Sequence, residues 1–128
     1  TDMMGVVYHP NYLHWMEMGR IDYLKRCGVT LNELMADGIL FPITEVSTQY
    51  KNSLTLGDSY EVQTTMSGLN KAKMEYTYKI IRLRDGAVAV EGYTRNLFTD
   101  TQGKIKRLPD HWFKKINDVY QQEEKKHE

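Results

Sequence analysis

Residues 10–28 read PNYLHWMEMGRIDYLKRCG, and this stretch decides the fold. Pro10 suits a helix N1 position, where its missing N–H costs nothing and its φ is preset. From Asn11 to Arg26 there is no proline and one glycine, Gly19. Tyr12, Met16, Gly19, Tyr23 and Cys27 recur at helical spacing, and Leu13 and Leu24 widen the stripe. Trp15 and Ile21 add apolar surface on other faces. Gly28 is placed to end the helix in a left-handed turn. A helix apolar over most of its circumference needs other structure wrapped around it.

The flanking sequence supplies that wrapping. Thr30 with Glu33 three residues on is a capping-box signature, so Leu31–Ala36 reads as a short helix stopped by Asp37 and Gly38. The period then changes to two. Val46, Thr48 and Tyr50 alternate with polar residues, as do Tyr60, Val62, Thr64 and Met66, then Met74, Tyr76, Tyr78 and Ile80. Val88, Val90 and Gly92 lead into Tyr93–Phe98. All four runs read as half-buried strands. Asp85-Gly86 marks a hairpin; Leu56-Gly57-Asp58, Gly68-Leu69-Asn70 and Asp100–Gly103 mark other turns. Adjacent Ile80 and Ile81 call for a bulge. Pro109 opens a last helix carrying Trp112, Phe113, Ile116 and Tyr120, and the polar tail 121–128 is expected to fray into solvent. The expected class is α+β, with one long helix buried against an antiparallel sheet in a single domain over residues 1–128. Unpaired sheet edges favour pairing of two copies.

Composition narrows the function. The 128 residues carry 17 Lys+Arg against 17 Asp+Glu, so the net charge is zero and the basic excess expected for nucleic-acid binding is missing. One cysteine excludes an internal disulfide and a cysteine-based zinc cluster, and suits a reducing, cytoplasmic setting. No apolar run approaches the ~18–20 residues of a membrane span.

Chemistry concentrates at the start of the chain, in TDMMGVVYHPNYLH (residues 1–14). A carboxylate, Asp2, stands three residues before Gly5, and His9 stands at the mouth of the helix. A helix N-terminus presents unpaired N–H groups and partial positive charge, which suits a carbonyl oxygen becoming an oxyanion. Asp2 is then the candidate base or nucleophile, His9 the helix-mouth residue, and Gly5 permits a turn that a side chain would block. The competing reading makes Asp2 a turn cap and His9 a helix cap.

Asp2-x-x-Gly5-x-Val7-x-x-Pro10-Asn11-Tyr12 resembles the active-site segment of the 4-hydroxybenzoyl-CoA thioesterase group of hot-dog proteins, and the YbgC-like acyl-CoA thioesterases within it most of all. The resemblance continues in Trp15 and Glu17, Lys25-Arg26-Cys27-Gly28, Gly38-Ile39 to Phe41-Pro42, Tyr50, Gly57-Asp58, Glu91-Gly92 to Thr94-Arg95, and Arg107-Leu108-Pro109. It implies a hot-dog fold, with the long helix inside a curled sheet, and hydrolysis of an acyl-CoA thioester. It implies Asp2 as the catalytic carboxylate, by direct attack or by activating water. The backbone N–H at His9 then polarises the thioester carbonyl, the His9 side chain is implicated in activity, and Gly5 is the turn glycine. It implies no metal and no cofactor, and a homo-oligomer, dimer or tetramer. Relatives begin with a further strand before the Asp loop, so a longer native chain is expected.

Other candidates each carry a plainer role. Glu17 is a possible second carboxylate or a subunit-contact charge. His14 reads as solvated, Cys27 as packing, and Tyr60, Tyr76 and Tyr78 as packing between sheet and helix. The CoA phosphates need a basic patch, for which Lys71, Lys73 and Arg95 stand first and Lys104, Lys106 and Arg107 next. A hot-dog hydratase or dehydratase using Asp2 and His9, and a non-catalytic acyl-CoA or acyl-carrier-binding module, are the rival readings.

Overall fold

The computed structural model describes residues 9–53 and 57–126. Asp2, Gly5 and Leu56, singled out above, lie outside the described residues. The elements run α1 (His9–Arg26), α2 (Leu31–Ala36), β1 (Ile43–Tyr50), β2 (Tyr60–Leu69), β3 (Lys73–Arg82), β4 (Ala87–Leu97) and α3 (Asp110–Lys126). The four strands form one antiparallel sheet in the order β1-β4-β3-β2. Helix α1 packs on β2 and β3. This is the α+β hot-dog arrangement expected from the resemblance.

Local chemistry explains where the helices stop. Gly28 takes φ 81°, and its N–H donates to the Lys25 carbonyl while Val29 N–H donates to Leu24. These two bonds satisfy carbonyls the helix leaves open. The α2 cap forms as the sequence predicts: Thr30 Oγ1 accepts the Glu33 N–H at 3.2 Å and donates to the Glu33 carboxylate at 2.8 Å. The same paired closure follows α2, with Gly38 N–H on Met35 and Ile39 N–H on Leu34.

The core lies between α1 and the sheet. Met16, Tyr23, Leu24 and Cys27 meet Met66, Met74, Tyr76 and Tyr78, with Leu34, Phe98, Trp112 and Ile116 closing the ends. The Tyr23 and Tyr76 rings meet edge to face, centroids 5.6 Å apart, a preferred aromatic geometry. Close approach is built in by two glycines. A Cβ on Gly19 would come within 2.1 Å of Thr64 Oγ1, and one on Gly92 within 2.5 Å of Met16 Sδ.

Several expectations need correction. Val46, Thr48 and Tyr50 do face the helix side, but β1 is mostly exposed, with Val46 at 47% and Tyr50 at 44%. The strand lies at the sheet edge with two strands between it and β2, and α1 leans toward β2. The β2 strand runs on through Gly68 and Leu69, so the turn falls at residues 70–72, where Asn70 Oδ1 accepts the Ala72 and Lys73 N–H groups. A register shift does follow Ile80, and the extra residue is Ala89 on β4. The polar tail does not fray at Gln121: α3 continues to Lys126, and Glu123 meets Arg26 at 3.4 Å.

Candidate active site

Helix α1 begins at His9, so the predicted helix-mouth residue is the first of the helix. No acidic side chain occupies the first turn, while Lys25 and Arg26 lie in the last. Lys25 and Arg26 thus complement the dipole at its C-terminal end, while no acidic residue of the first turn itself does so at the other. Pro10 contributes no N–H, so the free donors of the first turn come from the other residues there.

An aromatic belt supports this end of α1. Tyr12 is buried and sits 5.3 Å from Tyr50 of β1 and 5.4 Å from Trp15, centroid to centroid. Trp15 stacks on Tyr60 of β2 at 4.0 Å. The belt thus ties the first turns of the helix to both outer strands. Burial pushes the Tyr12 phenol upward, helped by the neighbouring Tyr50, so it stays a neutral hydroxyl at ordinary pH. Sequence reading named these residues singly; the alternation shows no sign that they form one belt.

Beside the belt, a groove of about 370 Å³ runs between α1 and the exposed edge strand, walled by Leu13, Met16, Glu17, Arg20, Ile43 and Val46. Its volume lies within the ~300–1,000 Å³ usual for small-molecule sites. Glu17, the possible second carboxylate, stands exposed on its wall. His14 also reaches this groove and is exposed, as its solvated reading expects. A larger concavity of about 500 Å³ is lined chiefly by polar outer-face residues, Gln63, Thr65, Thr77, Lys79 and Glu91 among them, away from the helix mouth.

The three leading phosphate candidates are not gathered at the groove. Lys71 pairs with Asp110 at the start of α3. Lys73 pairs with Glu75 at 3.0 Å, and Arg95 with Glu45 at 3.5 Å. Each therefore faces a carboxylate already. Cys27 is buried and its thiol is pushed up to about 11, chiefly by desolvation, which removes it as a nucleophile. Tyr76 and Tyr78 are buried between sheet and helix, as read. Among the described residues no three His, Cys, Asp or Glu side chains gather as a metal site, and no helix is long and apolar enough to cross a membrane.

Sequence reading missed Arg20. Its guanidinium donates to the Tyr78 hydroxyl at 3.4 Å, and that hydroxyl shares a 2.6 Å hydrogen bond with Thr94. Tyr78 is 2% exposed and Thr94 1%. Burial raises the Tyr78 pKa above its ordinary value, against the opposing hydrogen bonds from Thr94 and Arg20.

Known proteins resemble the chain in sequence and in fold. The family profile described as the thioesterase-like superfamily matches residues 1–116. YneP of Bacillus subtilis is 39% identical over 80 residues, which take in 62% of this chain and 58% of that protein. The acyl-CoA thioester hydrolase YbgC of Escherichia coli is 28% identical over 81 residues, 63% of this chain and 60% of that one. The chain thus spans about three fifths of the length of these two relatives. The crystal structure of a DHNA-CoA thioesterase from Staphylococcus aureus superposes with a TM-score of 0.84 at 30% identity, covering 97% of this chain and 83% of that one.

Proposed function

Because the chain belongs to the thioesterase-like superfamily, we propose that it hydrolyses an acyl-CoA thioester to the free acid and CoA. The carrying observation is the extent of the family match, residues 1–116, which takes in Asp2, Gly5 and His9 together with α1 and the groove beside it. The thioesters named for YbgC and for the staphylococcal enzyme agree with this reading.

The thioester carbonyl lies at the first turn of α1, near the His9 N–H. Attack at the carbonyl carbon places negative charge on its oxygen, where helix N–H donors hold it. One such preorganised donor is worth about 3–4 kcal/mol in the transition state. Asp2 accepts a proton from the attacking water, and the tetrahedral intermediate expels the CoA thiolate. Alternatively the Asp2 carboxylate attacks directly, giving a mixed anhydride that water then opens. The acyl group runs into the groove along Leu13, Met16, Ile43 and Val46. The cytoplasmic enzyme works as a homo-oligomer, in which a second copy covers the exposed edge strand β1.

The test is thiol release across a panel of aliphatic and aromatic acyl-CoAs, with Asp2→Asn beside the wild type. Hydrolysis by the wild type, and its loss in a folded Asp2→Asn protein of unchanged oligomeric state, is the expected result. Tight acyl-CoA binding without release would point to a binding module instead, and hydration of an enoyl-CoA to a hydratase. Sedimentation as a monomer would remove the oligomer from the proposal.

A further inference from the structure

One face of α1 carries residues 13, 16, 17, 20 and 24, the spacing of a single helical stripe. The stripe is not uniform. Leu13 and Met16 open it beside Ile43 and Val46, and Leu24 closes it. Glu17 and Arg20 interrupt it in the middle. These two residues wall both the open groove of about 370 Å³ and a second, inner cavity of about 50 Å³. The inner cavity is otherwise apolar, lined by Ile21, Leu24, Leu31, Phe41 and Met74. Two largely apolar compartments therefore lie end to end along the helix, with Arg20 and the exposed Glu17 at their junction.

Arg20 is held at that junction. It is half-buried, and its guanidinium donates to the Tyr78 hydroxyl, which is itself fixed by Thr94. Among the described residues no carboxylate lies within ion-pair distance of the guanidinium. Glu17, three residues before it, stands exposed on the solvent side. A hydrocarbon chain entering from the helix mouth runs about 10 Å along the helix, the seven-residue rise from Leu13 to Arg20, over Leu13, Met16, Ile43 and Val46 and past Glu17 on the exposed wall. It then meets a charged group whose hydration it would displace without a compensating bond, which is unfavourable.

We propose that Arg20 sets the acyl-chain limit of this groove, closing off the inner cavity and making the chain a thioesterase of shorter, unextended acyl groups. The inference rests on the hydrolase reading above and adds the residue that selects the substrate. Tyr78 and Thr94 are positioning residues that act through Arg20.

Two measurements on the same acyl series test it. The first is kcat/KM for butyryl- to stearoyl-CoA. The second is displacement of a fluorescent fatty-acid probe by the matching free acids, which needs no turnover. Arg20→Met is expected to move the optimum to longer chains and to raise the long-to-short ratio at least about tenfold, the discrimination of one methylene in an apolar pocket. Arg20→Lys, which keeps a cation, is expected to keep the wild-type order. Tyr78→Phe frees the guanidinium and is expected to shift the order part of the way, which keeps the test alive if Arg20→Met fails to fold. A chain-length order unchanged in both Arg20→Met and Tyr78→Phe, in either measurement, overturns the assignment. A uniform loss across all chains also overturns it, since that marks a purely structural arginine. A wild type that releases no thiol from any member overturns the hydrolase reading, and the displacement series then decides the role of Arg20 in acyl binding by itself.

Discussion

Gly19 of α1 lies directly over Thr64 of β2, so close that a Cβ on the glycine would stand 2.1 Å from the threonine hydroxyl and 3.3 Å from its Cβ. Only the Thr64 side chain fills the gap to the helix at this point. The same contact that lets α1 lean on β2 leaves the opposite flank, toward β1, open as the groove.

Replacing Gly19 by Leu is therefore expected to destabilise the fold by about 1–3 kcal/mol, the usual cost of overpacking, even though leucine is the better helix former. Urea unfolding measures the loss. Thr64→Ala removes the hydroxyl and is expected to return part of it, so the double mutant is more stable than the sum of the single changes. Strict additivity would show that the helix simply moves away.

What the sequence revealed of this fold follows from how local each signal is. The α2 cap was legible because Thr30 and Glu33 are three residues apart and bond each other. The strands were legible because alternation assigns faces. Alternation does not say what covers a face, so the exposure of Val46 and Tyr50 was not foreseen. The end of α3 was missed for a related reason: residues after Tyr120 carry no apolar period, and Glu123 finds Arg26 from 97 positions away. At the site, the helix mouth at His9 was readable from Pro10 and the apolar stripe. Arg20 was not, because its meaning depends on Tyr78, 58 residues distant, and on Thr94.

The outer face of the sheet carries a measurable pH signature. Tyr93 donates its phenol to Glu75 at 2.5 Å, and Lys73 lies 3.0 Å from the same carboxyl group. The Tyr93 bond first, and Lys73 after it, hold the Glu75 carboxyl below its ordinary value, while the carboxylate pushes Tyr93 up to about 12. A depressed carboxyl contributes stability above its unfolded pKa and loses it as pH falls through the folded value. A raised phenol contributes below its unfolded pKa and loses it as pH rises toward about 12. The pair is thus intact across neutral pH and weakens at both extremes. Tyr93→Phe is expected to move the Glu75 titration upward, followed by carbon NMR of the labelled carboxyl. An unmoved titration would assign the depression to Lys73 alone.

Helix α3 is tied to the end of α2 by a directional bond: the Trp112 indole N–H donates to Asp37 Oδ2 at 2.8 Å. His111 lies 3.9 Å from the same oxygen but is largely exposed. Trp112→Phe keeps most of the apolar burial and deletes the donor. The expected cost is about 1–2 kcal/mol by urea unfolding, typical of a hydrogen bond to a charged group at a partly open site. Asp37→Asn, which keeps an acceptor, is expected to cost less. Equal losses would mean that charge, not the bond, is what counts.

The proposed chemistry at the helix mouth separates backbone from side chain at a single position. His9 is the first residue of α1, and Pro10 after it supplies no N–H. If the backbone donor at His9 holds the oxyanion, His9→Ala leaves it in place, and kcat is expected to fall by no more than about tenfold. His9→Pro deletes the donor while keeping a φ compatible with a helix start. Its kcat is expected to fall about 10²–10³-fold, the effect of removing one oxyanion donor, with KM changing far less. Circular dichroism establishes that both variants keep the helix. Equal and large losses in the two variants would move the role from the N–H to the imidazole, and the pH profile of kcat in the wild type would then follow a histidine rather than Asp2.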